Sequence, residues 1–124
     1  MPQTSFSQKR IKAPKRDSKI KSADQFVNNS FSLYHKVYVY DSLTKANVEI
    51  PSELEDELLK SAQKNVDSLW QVLPTVFEDM GSGKASILKK GVATLNLNKS
   101  KKALTYTMKT IKLYFKDQVD QKED

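Results

Sequence analysis

Between Pro51 and Met80 the chain carries an apolar stripe of helical period that is too wide for a single packing contact. At about 100° per residue, Leu54, Leu58, Leu59, Ala62, Val66, Leu69, Trp70 and Leu73 fall within an arc of roughly 160°, with Asp56, Glu57, Lys60, Lys64 and Asp67 opposite. A helix with that much apolar surface needs more than one neighbour, which points to a helical bundle. Its start is marked by Pro51-Ser52, where Ser52 and Glu55 fit the S-x-x-E capping box. Glu53, Glu55, Asp56 and Glu57 put negative charge at the positive end of the helix dipole. Pro74 is expected to kink or end the helix, Val76, Phe77 and Met80 continue the stripe, and Gly81-Ser82-Gly83 stops it.

On the N-terminal side, Val27, Phe31, Tyr34 and Tyr38 are spaced for a helix capped by Ser22 and running to about residue 40. The run YHKVYVY over residues 34–40 is also rich in strand formers, and pairing it with NVEI at 47–50 gives the alternative, a hairpin within 34–50. On the C-terminal side, Leu104, Met108, Ile111, Phe115 and Val119 predict a helix capped by Ser100. Residues 84–98 mix helical spacing with Gly91 and an alternating Ala93, Leu95 and Leu97, so their periodicity favours neither state. With 124 residues there is material for one domain. The expected fold is mainly α: a helical domain of three to four helices over 22–119, a disordered basic arm over 1–21 and an acidic tail over 120–124. The alternative is α+β with the 34–50 hairpin.

The net charge of +6 is very unevenly distributed. Residues 1–21 carry seven cations against Asp17, residues 47–83 carry eight acids against Lys60 and Lys64, and residues 84–116 carry nine lysines and no acid. Such asymmetry points to a polyanionic partner or to internal charge pairing. The arm is poor in apolar groups and rich in Ser, Gln, Pro and Lys, a composition that does not offset the entropy of ordering. Lys9-Arg10-Ile11-Lys12 fits the basic K-[KR]-x-[KR] pattern, followed by Lys15 and Arg16, and reads as a nuclear import signal. A phosphate-contacting arm, a solvated tail and a mitochondrial leader are the other readings. The leader is disfavoured because the arm has two arginines and little amphipathic character.

Those two, Arg10 and Arg16, are the protein's only arginines. Lysine acts on phosphate as a point charge, whereas bidentate guanine reading is arginine work, so base-specific recognition by the folded part is not expected. On the final helix, Lys101, Lys102, Lys109, Lys112 and Lys116 share one flank, and Lys102, Lys109, Lys112 and Lys116 are the candidate phosphate contacts. The bland reading is a solvated flank, or one facing the acids of 53–79. The opposite flank, with Tyr106, Leu113 and Tyr114, is a candidate protein interface, as is Trp70.

Enzyme chemistry finds little to work with. There is no Cys and a single His, His35, so neither a thiol site nor a His cluster is available. GSGKAS at 81–86 departs from the phosphate-loop pattern, having Glu78 where the first Gly belongs and Ala85 where the Ser or Thr belongs. The acids Glu53, Glu55, Asp56 and Glu57 diverge around a helix and do not form an acid–base pair. No run approaches a membrane span and no apolar h-region follows the start, so neither a membrane location nor cleaved secretion is expected. The expectation is a non-enzymatic subunit or adaptor of a nuclear multiprotein complex associated with chromatin or RNA. It uses no metal, cofactor or small-molecule substrate, and its partners are protein subunits and, through phosphate, nucleic acid. The rival is a sequence-nonspecific nucleic-acid-binding protein using the arm and the lysine-lined helix.

Overall fold

A computed structural model describes residues 10–83 and 85–122, with side chains to Lys116. It consists of three helices, α1 (Lys21–Lys45), α2 (Ser52–Ser82) and α3 (Ile87–Lys122), preceded by an extended strap over residues 10–20. The fold is mainly α, and the described residues contain no strand.

The 34–50 hairpin is therefore replaced by helix to Lys45 and a helix stop. Asn47 adopts φ 63°, its N–H bonds to the Thr44 carbonyl, and the Val48 N–H bonds to the Leu43 carbonyl. This is a Schellman closure, in which a residue with low left-handed cost ends the helix and satisfies its last carbonyls. The β-formers Val37, Tyr38 and Tyr40 stay helical because Val37 and Tyr40 are buried and Tyr38 packs against the core. Tertiary packing overrides their propensity.

None of the three predicted side-chain caps, Ser22, Ser52 and Ser100, caps its helix. The cap of α1 is Ile20 rather than Ser22, and that of α2 is Pro51, with Ser52 already helical. No side chain caps α2, and burial first and the Glu55 carboxylate second push the Tyr40 phenol of α1 upward. α2 runs through Pro74 to Ser82, so the proline does not end it. Its missing N–H leaves the Trp70 carbonyl without its helical donor. α3 starts well before Ser100: the Ser86 hydroxyl accepts from the Lys89 N–H. Ser100 is buried within the helix and donates to the Asn96 carbonyl, a bond that satisfies its hydroxyl inside the core.

The core draws one stripe from each helix, led by Phe26, Tyr34 and Val37 of α1, Leu59, Ala62 and Val66 of α2, and Leu97, Leu104 and Ile111 of α3. Tyr34 meets Tyr106 and Tyr40 meets Tyr114, so α1 and α3 run parallel, with α2 returning between them. The most extensive helix contact is between α1 and α3.

Candidate functional site

The furrow between α1 and α3 is occupied by the strap. Its N-terminal end lies over the middle of α1, where the Tyr34 hydroxyl accepts the Ile11 N–H at 2.8 Å. Beside it the Arg10 guanidinium is 3.3 Å from His35 Nε2 and lies over the Tyr38 ring, 5.3 Å from its centroid. Further along, the Asn96 amide of α3 donates to the Arg16 carbonyl at 2.8 Å. The strap then turns into α1. Asp24 accepts from the Ser18 N–H and hydroxyl at one oxygen and from the Lys19 N–H at the other, while Lys19 takes the left-handed φ of 67°. The strap thus runs antiparallel to both helices.

Residues 10–20 are accordingly ordered against the domain, which corrects the expectation of a disordered arm over that stretch. The composition argument counted side chains, but the docking uses strap backbone groups bonded to Tyr34 and Asn96, with Ile11 and Ile20 packed on the core. Within the expected import signal, Arg10, Lys12, Lys15 and Arg16 are exposed on the strap, and Lys9 lies outside the described residues. The helix α3 continues to Lys122, so residues 120–122 of the expected acidic tail are helical, and residues 123–124 lie outside the described residues.

The strap brings the two basic sections of the sequence together. Ile11 lines a cleft of about 850 Å³ with Lys45, Lys102, Thr105, Tyr106 and Lys109, so the strap segment bearing Arg10 and Lys12 on either side of Ile11 runs past the lysines of α3. Lys112 and Lys116 are also exposed, but they do not line this cleft. The cleft contains a polar network. Asp41 is buried and accepts from the Tyr106 hydroxyl at 2.8 Å and from Tyr114 at 2.7 Å, with Lys45 Nζ at 3.0 Å. Burial would raise the Asp41 pKa, but the bonds from Tyr114, Lys45 and Tyr106 outweigh it and hold the carboxyl below its ordinary value. Tyr106 and Tyr114 are pushed well above the usual phenol value, by burial first and by the Asp41 carboxylate second.

These bonds correct the expected interface on the neutral flank of α3. Tyr106 and Tyr114 are half-buried in their own domain, with Tyr106 edge-to-face against Tyr34 and tilted against Tyr38. Trp70 is also half-buried against the core, and its indole N–H is enclosed without a hydrogen-bond partner. Of the four expected interface residues, Leu113 alone is exposed, at 61%. No local pattern marks Asp41, Asn96 or Tyr34 as organisers of the site, because each acts on a partner far away in the chain.

A second surface lies on the opposite side of α1. The furrow between α1 and α2 has no strap, and two open clefts follow one another along it, sharing Leu33, Lys36 and Asn65. The cleft toward the C-terminal end of α1 measures about 680 Å³ and is lined by Val39, Leu43, Ile50, Leu54 and Leu58, with Glu57 at its edge. Leu54 is 59% exposed and Leu43 40%.

Among the described residues no group of three or more His, Asp or Glu side chains comes together to hold a metal ion, and no helix is long and apolar enough to cross a membrane. No protein-family model, curated protein or solved structure matches the chain.

Proposed function

We propose that the protein is a non-enzymatic helical adaptor, a subunit of a nuclear multiprotein assembly associated with chromatin or RNA. The observation that carries this reading is the open furrow between α1 and α2. With the α1–α3 furrow filled by the strap, the α1–α2 furrow is left by the described residues as a long groove where a fourth helix would complete a four-helix arrangement. Its apolar floor of Val39, Leu43, Ile50, Leu54 and Leu58 fits the apolar face of an amphipathic helix. Glu57 at one end and Asp79 at the other favour a helix with basic residues beside that face. The basic stretch Arg10, Lys12, Lys15 and Arg16 supports import into the nucleus.

Co-purification from the native cell at normal expression level, with nuclease and high salt, tests the adaptor reading when the wild type is compared with a Leu43→Glu, Leu54→Glu variant. Both residues are exposed, so the variant keeps its fold. A stoichiometric protein partner should survive both treatments with the wild type, be lost with the variant, and contact the furrow through a helix. A partner retained equally by the variant, or none at all, refutes the reading.

The second reading is sequence-nonspecific nucleic-acid binding. It is favoured by one observation, the placement of strap residue Ile11, which Arg10 and Lys12 flank in the chain, in one cleft with Lys102 and Lys109.

A further inference from the structure

We propose that the docked strap and α3 form one composite site for the phosphate backbone of a nucleic acid, with the strap's docking as the condition for binding. The inference rests on the second reading above and is independent of the α1–α2 furrow.

Three observations lead to it. First, the cations converge from separate parts of the chain. Ile11 and the lysines Lys45, Lys102 and Lys109 line one cleft, and Arg10 and Lys12 flank Ile11 along the strap. Second, the cations are available. Lys12, Lys15, Arg16, Lys102 and Lys109 are exposed, and among the described residues none of them is paired with a carboxylate. Of the acids nearby, Asp24 is engaged by Ser18 and Lys19 and Asp41 by Tyr106, Tyr114 and Lys45, and the exposed Asp17 beside Arg16 offsets one of the strap's charges. Third, docking does not consume the positive charge. The strap is held by a tyrosine hydroxyl, an asparagine amide and an aspartate that binds backbone N–H groups. An array of like charges fixed in this way repels itself until a polyanion covers it.

The spacing suits a backbone. Lys102 and Lys109 are two helical turns apart, about 10.5 Å along α3, so both face the same side of the helix and reach separate phosphates. With lysine dominating and no side chain placed for bidentate reading, the site contacts phosphate and is indifferent to base sequence.

The test is fluorescence anisotropy of a short mixed-sequence DNA duplex against the full chain over a salt series, with circular dichroism verifying the fold of each variant. The logarithm of affinity should fall linearly with the logarithm of salt. Lys102→Gln with Lys109→Gln should reduce that slope by roughly 1.8, at about 0.9 per phosphate contact. Tyr34→Phe with Asn96→Leu removes the two bonds that hold the strap at Ile11 and Arg16, leaves only its Asp24 anchor at Ser18 and Lys19, and changes no charge, yet should weaken binding severalfold. No binding to the duplex, or binding only to phosphatidylserine-containing vesicles, overturns the nucleic-acid reading itself. Binding whose slope ignores Lys102 and Lys109, or whose strength ignores strap release, keeps that reading but overturns the composite site and leaves an ordinary basic tail.

Discussion

The Tyr114 hydroxyl donates to Asp41 Oδ1 at 2.7 Å, fastening the C-terminal part of α3 to the last turns of α1. Tyr106 fills the other oxygen at 2.8 Å, so a buried carboxylate is satisfied by two phenols from the neighbouring helix. Hydrogen bonds to a charged group contribute about 1.5–3 kcal/mol each, so Tyr114→Phe should lower stability by that amount in urea denaturation. Asp41→Ala should cost more, because it strands both phenols. Lys45→Ala should cost at most about 1 kcal/mol, since the lysine side chain is 72% exposed and its pairing is screened by solvent. Similar losses for Lys45→Ala and Tyr114→Phe would refute this ranking.

The same network sets the pH range of stability. Asp41 titrates below its unfolded value, so its contribution is present above about pH 4 and is lost as pH falls through the folded value. Tyr34, Tyr40, Tyr106 and Tyr114 are raised above the ordinary phenol value, with burial the largest cause in each. Their contribution is present below about pH 10 and is lost as pH rises beyond it toward the folded values. Denaturation midpoints across pH should therefore show a plateau that falls at both ends, and Asp41→Asn should shrink the acid limb. In a spectrophotometric titration, these four tyrosines should remain protonated past about pH 10 and ionise only as the chain unfolds.

The bundle was legible where the pattern is local. The Leu54–Met80 stripe predicted α2 with its stop at Gly83, and the spacing of Leu104, Ile111 and Phe115 predicted the second half of α3. Boundaries failed where one residue type has two uses. Ser100 reads as a cap but back-bonds inside a longer helix, and Asn47 reads as the start of a second hairpin strand but closes α1. The site was least legible. Tyr106 and Asp41 are 65 positions apart, and Asn96 and Arg16 are 80 apart, so no spacing rule connects them. The strap escaped notice because its backbone, which every sequence has, makes the bonds that hold it.

Two glycines should respond to alanine with opposite signs. Gly91 lies inside α3, is exposed, and a Cβ there would meet no atom within 4 Å. Gly91→Ala should raise stability by about 0.5–1 kcal/mol by reducing the backbone entropy lost on folding. At Gly83 a Cβ would sit 2.9 Å from the Asp79 carbonyl oxygen, which accepts the Gly83 N–H that ends α2. Gly83→Ala must shift that turn and should lower the melting temperature. A loss at Gly91 would mean that α3 is not continuous there.

The strap gives the sharpest contrast between a composition-based reading and the fold. If residues 10–20 were a solvated arm, the Ile11 amide would exchange with solvent at the rate of an unstructured peptide. In the structure that N–H is bonded to the buried Tyr34, whose ring is packed by Phe31, Tyr38 and Tyr106. Native-state hydrogen exchange should therefore show protection at Ile11 and Ser18, whose N–H groups are bonded to α1 side chains, but none at strap positions without such bonds. Tyr34→Phe should abolish protection at Ile11 and leave Ser18 protected through Asp24. Equal loss at both would show that the strap opens as one unit, with Tyr34 as its latch. Unprotected exchange at Ile11 in the wild type would return the strap to the solvated arm that its composition suggests.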